Sequence, residues 1–216
     1  MNAYTHLIWD FNGTLYDDVD ASIESANRLL TAHGLAPLVS RAQYRALFGF
    51  PIIDYYRRMG FDFAKTPYDA LAHEWVPYYL DAAKDCRLFP DAIPTLERLR
   101  GLGISHILLS ATEQEMLHRQ VTALGLLPHL DALLGQGTIH AHGKREVALA
   151  WKAEHPDARL LLVGDTDHDA EVAAALGADC ILLTTGHQSP ETLRACRPIL
   201  LAETLSEVAA FLEKKQ

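Results

Sequence analysis

Cysteine is scarce in this chain. Cys86, Cys180 and Cys196 are the only three among 216 residues, odd in number and far apart. Neither a disulfide framework nor a cysteine metal site is expected, and buried thiols in a reducing compartment are the reading that remains. Long apolar runs are lacking too: none approaches the roughly 20 residues that cross a bilayer. The opening MNAYTHLIWD has no charged segment ahead of an apolar stretch, so no signal peptide is expected. Positive charge is in deficit, with 19 Lys and Arg against 28 Asp and Glu and a formal net charge of −9. That argues against nucleic acid and anionic membrane surfaces as partners. Gly135-x-Gly137 has His140 where a third glycine would stand, so it is no dinucleotide fingerprint, and no Walker-type lysine loop is present. Repeats and low-complexity stretches are also missing. A soluble cytoplasmic enzyme, monomer or homodimer, is the working expectation.

About half of the residues are apolar, 49%, and the length accommodates one core plus one modest inserted domain. Short β-type runs alternate with helical periods, the pattern of a parallel sheet covered on both faces. Strands are predicted at Thr5–Asp10, Ile104–Ser110, Arg159–Val163 and Cys180–Thr184, with weaker signals at Leu130–Leu134 and Pro198–Leu201. Helices are predicted near Ile93–Arg100, Glu113–Leu124, Lys144–Glu154, Ala170–Leu176 and Ser206–Lys214. The alternation breaks from about Tyr16 to Cys86, where helical periodicity runs almost without strand signal. There Asp18–His33, Arg41–Leu47, Ile52–Met59 and Tyr68–Ala83 read as helices, with a break or kink expected at Pro77. The predicted architecture is an α/β doubly wound, Rossmann-like parallel sheet formed by residues 1–15 and 87–216. A small helical cap domain, residues 16–86, is inserted after the first strand.

Carboxylates sit where the predicted strands end, on the sheet edge where open parallel sheets bind ligands. In His6-Leu7-Ile8-Trp9-Asp10-Phe11-Asn12-Gly13-Thr14-Leu15 an apolar strand delivers Asp10, and Gly13 allows backbone N–H groups close to an anion. A carboxylate so placed can attack phosphorus, although Asp10-Phe-Asn-Gly13 is equally an ordinary turn after a strand. Leu160–Asp169 repeats the pattern: Asp165 and Asp169, four apart, come together if a helix starts at once. Acids that converge repel one another and repel phosphate, a conflict that a hard cation such as Mg²⁺ resolves. The alternative makes Thr166 or Asp167 a helix cap and leaves Asp165 without a role. Ser110 ends a strand, and Lys144 opens a helix where it can offset negative charge. Each of these two alone would pass for a cap or a solvated side chain. Eleven histidines raise the question of zinc, most of all at His140-x-His142, but alternate residues share a face only in a strand and this stretch precedes a helix.

In this order, Asp10-Phe-Asn-Gly-Thr-Leu, Ser110, Lys144 and Gly-Asp165-Thr-x-x-Asp169 resemble the haloacid dehalogenase superfamily. The match is to its phosphoglycolate-phosphatase-like and β-phosphoglucomutase-like branch and covers essentially the whole chain. The resemblance implies a Mg²⁺-dependent phosphatase acting on a small phosphorylated, phosphoglycolate-like metabolite. Asp10 would be nucleophile and metal ligand, the backbone carbonyl of Asn12 a second ligand, Asp165 a third, and Asp169 a ligand or its orienter. Ser110 and Lys144 would position and neutralise the phosphoryl group. Gly13, Thr14 and Ala111 would lie against the substrate, as would Arg45 and Gly49 from the cap stretch Arg45–Pro51.

Position 12 departs from the family pattern. Hydrolytic members usually carry a second aspartate there, which protonates the leaving group and then deprotonates water. The Asn12 amide cannot shuttle a proton, and a positioned acid/base is worth about 10²–10⁴ in rate. Ala111 is a second departure, since relatives often have Asn after the Ser/Thr. Several readings follow: a leaving group that needs no proton, an acid supplied by the cap, a weakly active or non-catalytic phosphate-binding protein, or a phosphotransferase or mutase. Deamidation at Asn12-Gly13 and an introduced Asp→Asn change are further options. Two related activities rank lower: a phosphonoacetaldehyde hydrolase would need Lys65 or Lys84 as Schiff base, and a dehalogenase would leave Asp165 and Asp169 idle.

Overall fold

The computed structural model describes residues 4–137 and 144–215. Six strands form one parallel sheet: β1 (His6–Trp9), β2 (Ser105–Glu113), β3 (Ala132–Gln136), β4 (Leu160–Gly164), β5 (Asp179–Leu183) and β6 (Leu200–Ala202). Their spatial order is β3-β2-β1-β4-β5-β6, with all pairings parallel. The chain winds outward in opposite directions from β1, so the topological switch lies between β1 and β4. Trp9 pairs with Val163 across that switch. The next residues, Asp10 on one strand and Gly164 then Asp165 on the other, are therefore delivered side by side.

The strands are apolar because both faces are covered. Leu7 and Trp9 face a core with Leu108, Leu161, Val163, Ile181 and Leu183. Ile8 faces the opposite one with Ile107, Leu109, Leu160 and Leu162. Four helices fall within residues 16–86, after β1: α1 (Val19–Ala32), α2 (Arg41–Leu47), α3 (Ile52–Arg58) and α4 (Tyr68–Ala82). They pack round a cluster of their own that includes Leu29, Leu30, Tyr44, Tyr55, Tyr56 and Leu71. The two chain crossings into this layer run side by side: Phe89 N–H donates to the Leu15 carbonyl, and Asp17 N–H to that of Arg87.

Helices α5 (Ala92–Arg100), α6 (Gln114–Ala123), α7 (Arg145–Glu154), α8 (Asp167–Leu176), α9 (Pro190–Ala195) and α10 (Leu205–Glu213) follow. Three features differ from the expectation. The helix α4 does not break at Pro77 but continues through it, anchored on either side by buried Leu71 and Tyr79. Strand β2 runs past Ser110 to Glu113 because a register shift against β3 after Leu109 lets it resume pairing at Gln136. Helix α9 carries no apolar periodicity long enough to read; it is capped by Ser189, whose side chain accepts from Thr192 N–H, with Pro190 in its first turn. The three cysteines are free and half-buried. His140 and His142 lie outside the described residues.

Candidate active site

Asp10 leaves β1 with its N–H bonded to the Val163 carbonyl at 2.9 Å, which fixes the start of the loop against β4. The Lys144 ammonium, at the entry to α7, donates to Asp10 Oδ1 and, at 2.5 Å, to Asp169 Oδ1. Both Lys144 and Asp169 are buried. Asp165 accepts from the Thr14 hydroxyl at 3.0 Å and from the His187 N–H at 2.6 Å. Oxygens of Asp10, Asp165 and Asp169 all lie within 4.8 Å of one another.

Asp169 Oδ2 is taken up by the N–H groups of Asp165 and Thr166, at 3.1 and 2.9 Å, and by the Thr166 hydroxyl at 2.7 Å. It therefore caps α8 and orients Lys144, which leaves Asp10 and Asp165 as the carboxylates with spare acceptor capacity. The turn must be tight. Gly13 has φ +73°, and a Cβ there would stand 2.5 Å from Asp165 Oδ2, so a side chain at 13 is excluded by backbone and space together.

The electrostatics follow from burial. Burial pushes the Asp10 carboxyl well above its ordinary range; Lys144 opposes this, and Asp169 and Asp165 add to it. Burial also raises Asp165, against the pull of His187. For Asp169 burial pushes upward too, but the Lys144 charge and the Thr166 hydrogen bonds outweigh it and the pKa falls. Lys144 is raised, the Asp10 and Asp169 charges overriding its desolvation. These groups form a preorganised, water-poor cluster whose unrelieved negative charge centres on Asp10 and Asp165.

A fourth buried carboxylate, Asp18, lies on the other side of the loop and was not singled out from the sequence. Its Oδ1 accepts from Gly13 N–H at 2.9 Å. Its Oδ2 accepts from Asn12 Nδ2 at 2.8 Å and from the Tyr79 hydroxyl at 2.7 Å. His187 Nε2 stands 3.3 Å from Asp18 Oδ1, and its Nδ1 is 2.7 Å from the Tyr44 hydroxyl. Burial opposes charge on His187, but Asp18, Asp165 and Asp10 outweigh it and lift the pKa to about 9. Burial likewise acts against the Asp18 charge, yet His187, Tyr79 and Asn12 hold its pKa below the ordinary value. Thr112, also not anticipated, donates to Asn12 Oδ1 at 3.3 Å. Ser110 is buried and donates to the Thr112 hydroxyl at 3.0 Å, with Ala111 between them on β2.

The helical layer reaches this edge through α2 and the loop after it. Arg45 does not extend freely into the site: it donates to the carbonyls of Gly186 at 2.9 Å and Thr185 at 2.7 Å. Phe48 packs on the His187 ring, and Phe50 stacks on His168. Gly49 lies against Arg58 and Gln188, where a Cβ would come within 3.2 Å of the guanidinium. His187 and Gln188 belong to the segment between β5 and α9. No local pattern marks them, because their partners are 21 to 169 residues away.

A sequence model described as haloacid dehalogenase-like hydrolase matches residues 7–183. The chain is 25% identical over 188 residues to a phosphoglycolate phosphatase of Rhodobacter capsulatus, covering 84% of this chain and 85% of that protein. It is 26% identical over 185 residues to the tyrosine-protein kinase PtkA of Mycobacterium tuberculosis, covering 84% of this chain but only 62% of PtkA's length. Among solved structures, a haloacid dehalogenase-like hydrolase, SP0104 of Streptococcus pneumoniae, superposes with a TM-score of 0.84 at 19% identity. That match covers 98% of this chain and 99% of that one; at this identity it speaks to the fold alone. Among the described residues, no helix is long and apolar enough to cross a membrane.

Proposed function

The chain belongs to the haloacid dehalogenase-like hydrolase family, and from that premise we propose that it is a Mg²⁺-dependent phosphoric monoester hydrolase for a small phosphorylated metabolite. Residues 16–86 act as its cap. The observation that carries this reading is the buried Asp10 carboxylate at the sheet's switch point, held by Lys144 and facing Asp165. The donor set suits a hard divalent cation, being carboxylate oxygen only. Charge also fits: four buried carboxyl groups, Asp10, Asp18, Asp165 and Asp169, outnumber the two basic groups among them, Lys144 and His187, and a dication would offset the excess.

Asp10 and Asp165, with the backbone carbonyl of Asn12, would hold Mg²⁺, and Asp169 would orient Lys144. The bound ion would supply charge neutralisation to the incoming phosphate. An Asp10 carboxylate oxygen attacks phosphorus, the bond from phosphorus to the leaving oxygen breaks, and an aspartyl-phosphate results. Lys144 and Ser110 offset and orient the phosphoryl oxygens. Water then attacks the phosphoenzyme, releases inorganic phosphate and regenerates Asp10. Because the Asn12 amide cannot act as a general acid or base, the leaving groups served best are those that depart as stable anions, aryl and acyl phosphates among them. The same deficit slows attack by water and favours transfer to another acceptor as a second reading, in keeping with the kinase name of the relative PtkA.

The test is hydrolysis of p-nitrophenyl phosphate with and without Mg²⁺ by the wild type and by Asp10→Ala. Turnover that needs both the ion and Asp10 supports the reading. Equal turnover by Asp10→Ala would overturn it.

A further inference from the structure

The geometry points to Asp18 as the positioning residue that makes residue 12 an amide: Asn12 and Asp18 form one coupled pair, and the pocket beside the nucleophile holds a carboxylate at 18 or at 12, not at both. This rests on Asp10 being the nucleophile of the proposed hydrolase. It goes further in assigning the atypical residue 12 a cause and a partner.

Hydrogen-bond polarity carries the inference. An ionised carboxylate only accepts. Asp18 Oδ2 already takes the Tyr79 hydroxyl, and the side-chain atom of residue 12 that faces it at 2.8 Å must therefore be a donor. The same atom stands 2.8 Å from the Tyr79 oxygen, whose one proton is committed to Asp18. The other face of the amide accepts from Thr112. Asn12 thus has its two ends engaged in the only orientation that satisfies all three neighbours. An aspartate at 12 would set a carboxylate oxygen against that of Asp18 in a buried site, where like charges in contact are costly.

Two consequences follow. The Asn12 side chain is turned toward the helical layer, onto Tyr79 of α4, and so ties the nucleophile loop to α4. Conversion of Asn12-Gly13 to a succinimide is also obstructed. That reaction needs the Gly13 nitrogen to reach Asn12 Cγ, but the Gly13 N–H is bonded to Asp18 Oδ1 and to the Tyr16 carbonyl, both at 2.9 Å.

The pair is tested by a double-substitution cycle of Asn12→Asp, Asp18→Asn and the two together. The swap reverses the polarity of the bond: the amide at 18 donates to the carboxylate at 12 and still accepts from Gly13 N–H. Two readouts are taken on each protein, thermal unfolding in EDTA and kcat with Mg²⁺ on an alkyl phosphate and on p-nitrophenyl phosphate. Each single variant is expected to unfold several degrees below the wild type, and the double variant to recover most of that loss. In kcat, Asn12→Asp alone should gain little on the alkyl phosphate. The double variant should exceed the wild type there by at least about tenfold, within the range of a restored acid/base, with a much smaller change on the aryl ester. Additive melting shifts, or a full gain from Asn12→Asp alone, would overturn the coupling. Should no protein in the set turn over either ester, the nucleophile reading fails while the melting cycle still decides the pair.

Discussion

Lys144→Met is the perturbation that most directly weighs the buried charge cluster. Lys144 bonds two carboxylates, Asp10 and Asp169, and all three side chains are almost fully removed from water. Deleting one partner of a buried ion pair typically costs about 3–5 kcal/mol, because the remaining charge is left uncompensated. For a chain of this size about 1 kcal/mol moves the melting temperature by roughly 2–4 °C. The expected fall in EDTA at neutral pH is therefore about 6–20 °C. Asp10 already binds its proton more readily than usual because of burial, and loss of Lys144 raises its pKa further. The native state then takes up a proton that the unfolded chain does not, so the penalty should shrink as the pH falls through the raised Asp10 pKa. Adding Asp10→Asn removes one of the stranded charges and should return part of the loss, a coupling of about 0.5–3 kcal/mol. Thermal unfolding of the wild type, both single variants and the double variant measures all of this. A Lys144→Met protein melting within about 3 °C of wild type, with additive effects in the cycle, would refute the reasoning.

Saturating Mg²⁺ should raise the melting temperature of the wild type: about 2.7 kcal/mol at a hundred times Kd, or roughly 5–11 °C. Asp165→Asn should lose that shift, and retention of it would move the ion elsewhere. His106, buried on β2 beside β1, accepts from Trp9 Nε1 at 3.1 Å and stands 2.8 Å from the Leu96 carbonyl through Nε2. Burial lowers its pKa to about 4. Its contribution to stability is therefore complete above pH ~6.5 and lost as the pH falls toward 4, up to about 3 kcal/mol. His106→Gln keeps a donor and an acceptor and should flatten that part of the stability profile; an unchanged acid slope relative to wild type would count against it. Arg45→Ala frees the Thr185 and Gly186 carbonyls, so hydrogen exchange should rise in α2 and in residues 184–189 while β1 and β4 stay protected. Unchanged exchange there would mean that Arg45 does not fasten the two layers.

Much of the fold was legible because its signals are local. Leu7–Trp9, Ile107–Leu109 and Leu160–Val163 are apolar runs closed by a polar or small residue, and each forms a strand covered on both faces. The paired acids at 165 and 169 could be read because a turn of helix is all that separates them. The Asp18 cluster could not be read. Asp18 looks like the first residue of an amphipathic helix, and its importance comes from Tyr79 and His187, 61 and 169 residues away in the chain. Tyr79 and Tyr44 are buried aromatic residues, and only the direction of their hydroxyls reveals a second role. The end of β2 was misjudged because the irregular pairing after Leu109 depends on β3, not on β2's own residues.

The claim at the centre is that Asp10 takes the phosphoryl group. Acid quenching of the Mg²⁺-loaded protein during turnover of p-nitrophenyl phosphate, followed by peptide mapping, reads the phosphorylated residue and the identity of residue 12 in one peptide. One added phosphoryl group on Asp10, beside an intact Asn12 and absent in Asp10→Asn, is the expected result. A phosphoryl group on another residue, or steady turnover with none on any, would contradict it.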